Sequence, residues 1–149
     1  MRTTARAIVV NGDKLLVMYR NKFGHEYYSL VGGGVDVGET PEQTLYREVT
    51  EETSLAISNH RLVIIENAGS MYGMQYIFLC NYVSGEPVLS EGSMEEKINA
   101  NGKNLFKPMW LPITDLPNTK LLPSELKQAL INGLTNGFPD QPLTLNIEM

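Results

Sequence analysis

The sequence predicts a mixed α/β domain, in the α+β sense, built on one mixed β-sheet. Three observations predict it. Residues 5–10 (ARAIVV) and 14–19 (KLLVMY) are strand-like runs on either side of Asn11-Gly12-Asp13, a strong hairpin signal. An amphipathic acidic helix begins near Pro41, and two more strand-like runs, 61–66 and 73–83, follow it. A helix of a dozen or so residues between the early hairpin and the later pair calls for a crossover, so parallel and antiparallel neighbours must share the sheet. The 149 residues fit a single domain over 1–149 with a substantial core.

After the hairpin, Arg20 ends the second strand and residues 21–25 (NKFGH) form a comparatively basic loop. Arg20 is either a clamp on substrate phosphate or a solvated strand end. His25 has no partner at metal-ligand spacing and reads as surface. Phe23, Tyr27 and Tyr28 read as core packing or loop anchors rather than base-stacking platforms. Residues 27–31 (YYSLV) then form a strand that runs into a triple-glycine bend at Gly32, Gly33 and Gly34, where backbone can approach a ligand closely.

The helix after the bend carries the chemistry. Thr40-Pro41-Glu42-Gln43 fits a capping box with Pro41 at the first helical position. At about 100° per residue, Glu48, Glu51 and Glu52 fall within roughly a 100° arc beside an apolar stripe of Leu45, Tyr46 and Val49. Clustered like charges beside a core are unfavourable unless a cation binds among them. Such an oxygen-rich set selects a hard divalent ion, and Mg²⁺ takes one or two carboxylates together with waters and substrate phosphates. Arg47, one turn before Glu51, is placed to hold a glutamate in orientation.

The spacing itself carries a resemblance. Gly33, five residues, Glu39, seven residues, then Arg47-Glu48-Val49-Thr50-Glu51-Glu52 resembles the signature of the Nudix hydrolases, G-x5-E-x7-R-E-U-x-E-E-x-G-U, over residues 33–55. At about 6% usage per residue, six fixed matches arise by chance about once in 10⁷ to 10⁸ starting points. One position departs, with Ser54 standing where the family has its second glycine, at a helix end where left-handed geometry costs a serine about 1 kcal/mol. The residue before the first two glycines, often proline in the family, is Val31.

The resemblance implies a Nudix-type α/β/α sandwich and a pyrophosphohydrolase. It implies that Glu48, Glu51 and Glu52, with the backbone carbonyl of Gly32, gather Mg²⁺ or Mn²⁺. It implies that Arg47 orients Glu48, that Glu48 or Glu51 takes part in catalysis, and that Gly33 and Glu39 are structural parts of the motif. It implies that Arg20 touches the nucleotide, and that a loop glutamate, here Glu91, Glu95 or Glu96, adds a ligand or base. The reaction expected is attack of water on a phosphorus of a nucleoside diphosphate linked to another group, with a lean toward a nucleoside triphosphate.

Later elements read as follows. Residues 67–72 form a turn or bulge, and Cys80, in the run YIFLC, is a buried strand thiol that has no intrachain disulfide partner. Residues 91–107 read as a long polar surface loop, 106–112 as a short proline-bounded strand with Trp110 a core anchor, and 114–116 as a turn. Leu126, Ala129 and Leu130 show helical spacing over 123–131, with Pro123 near the start and Gly133 at the end. The tail, 134–149, pairs either as an edge strand or across to a second subunit as a homodimer.

A formal charge of -5 disfavours a broad nucleic-acid face and suits a small nucleotide substrate drawn in through a metal ion. The N-terminal residues lack the apolar region of a signal peptide, and no run approaches the ~18 apolar residues of a membrane span. The expectation is a cytoplasmic enzyme without a membrane partner. The alternative is a catalytically silent Nudix-fold binding module, for which Ser54 is the only support.

Overall fold

Successive side chains of a strand point to opposite faces, and the first two strands, β1 (Thr3–Asn11) and β2 (Lys14–Lys22), are apolar on both. Ala5, Ala7, Val9, Leu16 and Met18 join one buried cluster, while Ile8, Leu15 and Val17 join another. A sheet apolar on both faces must be covered on both. The computed structural model describes residues 2–69, 73–100 and 102–147, and shows how. The elements continue as β3 (His25–Ser29), β4 (Val31–Gly34), α1 (Pro41–Thr53), β5 (Ala56–Asn67) and β6 (Met74–Ser84). They end with α2 (Met94–Asn99), β7 (Asn104–Pro112), a 3-10 helix (Ile113–Asn118), α3 (Ser124–Asn136) and β8 (Leu143–Asn146). Leu45 and Val49 of α1 complete the first cluster, and Leu126, Ala129 and Leu130 of α3 complete the second. The result is the expected α/β/α sandwich.

Among the described residues the sheet has the order β3-β2-β1-β6-β5-β8, with β4 added on β1 and β7 on β2. It is mixed, because β1·β6 and β5·β8 are parallel and the other pairs antiparallel. The register shows where the sheet opens. Val10 pairs with Leu15 of β2, residues 4–7 pair with β4, and both stretches also pair with β6, so β2 and β4 share one edge of β1. By the same logic β1 and β3 share one edge of β2, with β7 on the other. The hairpin arms therefore part soon after their turn. Arg6, Arg20, Tyr27, Ser29 and the β4 glycines line the cleft at the divergence.

Several expectations need correction. The glycines form no bend: Gly32, Gly33 and Gly34 pair with Arg6, Ala5 and Thr4 inside β4, and the turn comes afterwards. Space explains the first two, since a Cβ on Gly32 would lie 2.7 Å from the Cα of Arg6 and one on Gly33 would lie 2.6 Å from the Glu48 carboxyl, whereas one on Gly34 would meet nothing within 4 Å. Residues 94–99 of the expected loop form α2, begun by the Ser93 hydroxyl accepting from the Glu96 amide at 3.2 Å. α3 runs past Gly133, because that glycine faces the Phe138 ring and the break falls at Gly137. β7 is no short strand, pairing with β2 from Lys14 to Lys22. Of the two alternatives for the tail, the edge strand holds, Leu143 to Asn146 lying parallel to Ile64 to Asn67 at the end of the sheet. Of the expected turn at 67–72, Ser70, Met71 and Tyr72 lie outside the described residues.

If the two faces form one cooperative unit, Leu45→Ala and Leu130→Ala, both at fully buried positions, each lower stability by about 2–5 kcal/mol. Urea unfolding followed by Trp110 fluorescence and by far-UV circular dichroism should give coincident transitions with an unchanged slope; separated transitions would contradict it.

Candidate active site

The site begins with how α1 is started. The Thr40 hydroxyl accepts from the Gln43 amide at 3.1 Å, and the Gln43 side chain accepts from the Thr40 amide at 2.9 Å, completing the capping box with Pro41 behind it. Leu45 and Val49 then fix the rotation of the helix by burying one stripe. Glu48 and Glu52, one turn apart, are carried to the border of that stripe and are themselves 8% and 7% exposed. Both line a cleft of about 480 Å³ together with Gly32, Gly33, Gly34, Arg2, Arg6 and Arg20. Burial raises the pKa of Glu48, and burial plus the neighbouring Glu48 raises Glu52 well above the ordinary carboxylate range.

Arg47 organises the surrounding polar groups. Its Nε and Nη2 donate to the two oxygens of Glu39 at 2.8 and 2.9 Å, and its Nη1 donates to Glu48 Oε1 at 2.9 Å. Nη2 also reaches the Gly34 carbonyl at 3.2 Å, so the end of β4, the turn and α1 are tied through one guanidinium. The Arg47 hydrogen bonds hold the Glu39 carboxyl down to about 2, with help from the Thr44 hydroxyl, and Glu39 in turn pushes Arg47 up. Glu52 is steered separately, by the Gly32 amide donating at 3.1 Å.

Glu51 is not brought in. Its side chain is 45% exposed, it lies 3.5 Å from Arg47 Nη1, and it does not line the cleft. Helical geometry gives the reason: from Glu48, Glu52 is rotated about 40° one way and Glu51 about 60° the other. The Gly32 amide is the group in contact with a glutamate. Among the described residues, no three acid, histidine or cysteine side chains lie close enough to hold a metal ion unaided.

Arg20 lines the cleft with its Cζ 3.7 Å from the centroid of Phe106 and 5.6 Å from that of Tyr27. Its Nε donates to the Leu105 carbonyl at 3.2 Å and Nη2 to the Asn104 side chain, so it is a held cation rather than a solvated strand end. Of the three loop glutamates only Glu95 lines the cleft. Glu96 is used inside its own turn, accepting from the Gly92 amide at 2.9 Å, and Glu91 is exposed. Ser54 takes the left-handed conformation expected of the glycine it replaces, at φ 62° and ψ 12°, with its hydroxyl donating to the Val88 carbonyl at 2.7 Å. His25 is exposed as expected, whereas Phe23 is 66% exposed and packs in no core. Tyr28 packs against the second cluster, and Trp110 packs against the first, edge-on to Tyr82. Cys80 is buried, and burial pushes its thiol up to about 12.

Sequence reasoning missed Arg6 and Glu66. The Arg6 guanidinium donates to Gln75 Oε1 and to the Leu30 carbonyl, each at 3.0 Å, and its burial lowers its pKa. Glu66 is 3% exposed, and its pKa is pushed up to about 7 by burial. Arg6 is a charge inside the apolar run 5–10, a readable signal, whereas Glu66 ends its run beside Asn67 and gives none.

A family model described as the NUDIX domain matches residues 1–130. The chain belongs to the Nudix family. Curated relatives include an NAD-capped RNA hydrolase NudC of Pectobacterium carotovorum, 35% identical over 75 residues, which are 50% of this chain and 29% of that one. An RNA pyrophosphohydrolase of Acinetobacter baylyi is 37% identical over 62 residues, 42% of this chain and 37% of the relative. The chain thus spans about a third of the length of these relatives. Among solved structures, a NUDIX hydrolase from Nitrosomonas europaea superposes with a TM-score of 0.68 at 19% identity, covering 92% of this chain and 90% of that one. An ADP-ribose pyrophosphatase from Streptococcus suis superposes at 0.64 with 21% identity, covering 98% of each chain. These likenesses confirm the Nudix fold. No helix among the described residues is long and apolar enough to cross a membrane.

The pKa shifts set a pH dependence for this Nudix domain. Glu48, Glu52 and Glu66 are raised in the folded state, so folding binds protons and stability falls as pH rises from about 4.5, reaching through about 7 for Glu66. Glu39 is lowered, so its contribution is present above about 4.5 and is lost as pH falls toward about 2. Thermal unfolding in a chelating buffer should show a midpoint highest near pH 5 that declines toward pH 8. A midpoint that is flat or rising across that interval would contradict the burial of these carboxyls.

Proposed function

We propose that the chain is a Mg²⁺- or Mn²⁺-dependent pyrophosphohydrolase acting on a nucleoside diphosphate linked to another group, with a nucleoside triphosphate the favoured form. The observation that carries the reading is the pair Glu48 and Glu52, buried together in a cleft whose other wall holds Arg20. Two buried carboxyls with raised pKa values are poor company for each other and good company for a divalent cation. Two carboxylates suit an ion that completes its shell with waters and substrate phosphates, so the residues present fit it. When bound there, the ion offsets phosphate charge and lowers the pKa of a bound water.

The chain's own groups divide the remaining work. Arg47 holds Glu48 and the Gly32 amide holds Glu52, each in one orientation. Arg20, fixed between Phe106 and Tyr27, binds phosphate oxygens and places the linkage in the cleft. A water oxygen forms the new bond to phosphorus, the bridging P–O bond breaks, and the electron pair leaves with the second phosphate. The proton lost by the water passes to a carboxylate, and Glu95, across the cleft on α2, is the group we assign to take it. Glu51, 45% exposed and 3.5 Å from the Arg47 nitrogen that also holds Glu48, stays outside the cleft in this account. The silent-module reading loses its support, because Ser54 keeps the left-handed geometry of the glycine it replaces.

The names of relatives add NAD-capped RNA, RNA 5′ ends and ADP-ribose as candidate contexts for the same diphosphate linkage. Hydrolysis should be screened with Mg²⁺ on nucleoside triphosphates, nucleotide sugars, dinucleoside polyphosphates, oxidised nucleotides and 5′-capped RNA oligomers. Glu52→Gln is expected to abolish turnover and Glu95→Gln to reduce kcat by about 10²–10⁴-fold. Binding without turnover across the whole panel would overturn the enzymatic reading. Arg20→Ala should raise KM about tenfold with kcat nearly unchanged; a fall in kcat alone would deny it the phosphate-binding role.

A further inference from the structure

A second cleft of about 600 Å³ lies beside the first and shares Arg6, Tyr27, Ser29 and Leu30 with it. The catalytic reading does not use it. Its walls are largely apolar, formed by Leu30, Ala68, Leu122, Pro123, Leu126 and Ile147, and Glu66 of β5 lies among them. Glu66 is 3% exposed, and among the described residues no hydrogen bond or ion pair reaches its carboxyl group. Arg6, the nearby cation whose charge it feels, donates to Gln75 Oε1 and to the Leu30 carbonyl. Trp110 Nε1 is the one fully enclosed side-chain polar atom without a partner among the described residues, so the Glu66 oxygens still open onto the cleft.

A buried carboxyl without a partner costs free energy in the empty protein, and a ligand that supplies donors recovers it. The apolar walls admit a flat ring, and a carboxylate presents two acceptors side by side. We propose that Glu66 is the specificity-determining residue of this second cleft, its carboxylate accepting two adjacent N–H donors from a nucleobase edge, the pattern that guanine presents at N1 and N2. Adenine and cytosine offer a donor beside an acceptor, and uracil offers one donor between two acceptors, so each leaves a carboxylate oxygen facing a lone pair. The proposal rests on reading the first cleft as the diphosphate site, because the shared wall lets one nucleotide reach both. Arg6 and Lys22 line the same cleft and offset its two carboxyls, Glu66 and Glu125, toward an anionic ligand.

Binding can be measured without turnover. Isothermal titration of the chain with GMP, AMP, CMP and UMP, metal-free and at pH 8, should show GMP favoured by about tenfold or more, the worth of a hydrogen bond to a charged group. Glu66→Gln replaces one acceptor by a donor and should cancel the preference, shifting it toward AMP. Leu122→Trp, at an exposed position on the rim of the cleft, should weaken all four nucleotides and guards against a Glu66 variant that fails to fold. Equal binding of the four by the unaltered chain, or a GMP preference that survives in folded Glu66→Gln, overturns the proposal. Hydrolysis without guanine preference would sink this inference and leave the enzymatic reading standing; guanine preference without hydrolysis would do the reverse.

Discussion

The fork between Arg47 and Glu39 is the constraint on which the site depends. Glu39 lies in the turn after β4, Arg47 lies two turns into α1, and two parallel N–H···O bonds at 2.8 and 2.9 Å join them. The pair is partly open to solvent, at 30% and 16% side-chain exposure, so its direct contribution to stability is small. Its contribution is geometric, because a planar guanidinium gripped on one edge has its remaining donors aimed. One of those donors holds Glu48, and another holds the Gly34 carbonyl at the end of the strand that passes under Glu48. Together with the bond from the Gly32 amide to Glu52, that guanidinium sets the distance between strand and helix.

That distance explains the glycines. β4 must pass close beneath the Glu48 carboxyl and beside β1, and any side chain at Gly33 would displace the carboxyl that Arg47 holds. The same closeness buries Glu48 and Glu52 and raises their pKa values, which is a cost to the empty fold. Arg6 offsets part of it, as the cation that favours the charged form of both Glu52 and Glu66. The fold accepts unfavourable carboxylates at the point where the sheet divides, and a cation or a hydrogen-bond donor is what would relieve them.

What could be read from sequence follows range of interaction. The capping box, the hairpin at Gly12-Asp13 and the placement of Glu48 and Glu52 on one helix face are set within a few residues, and each was legible. The exposure of Glu51 could not be read, because an arc of three carboxylates does not say which side of Glu48 faces the strand. α2 was hidden because its six residues bury nothing fully, leaving no apolar stripe to detect. The end of α3 was misjudged because Gly133 is set by Phe138 packing against it, a contact that composition does not announce. Arg6 depends on Gln75, 69 residues away, and on the divergence of β1 from β2, neither of which is visible along the chain.

The division of labour between elements also explains why the family is easy to recognise and its substrate is not. Glu39, Arg47, Glu48 and Glu52 belong to one strand-turn-helix unit whose spacing is fixed by helix geometry, so the unit is recognisable in sequence wherever it folds. The second cleft is assembled from the first three strands, β5, β6, the segment before α3, α3 itself and the tail, pieces scattered from Arg6 to Ile147. Their mutual placement comes from sheet pairing, β5 with β6 and β8, and not from spacing. A relative matched over 62 or 75 residues therefore shares too little of the chain to carry that assembly with it. A shared fold and a shared strand-turn-helix unit therefore leave the substrate open. For this chain the group we propose as discriminating, Glu66, lies in that scattered assembly and outside the strand-turn-helix unit.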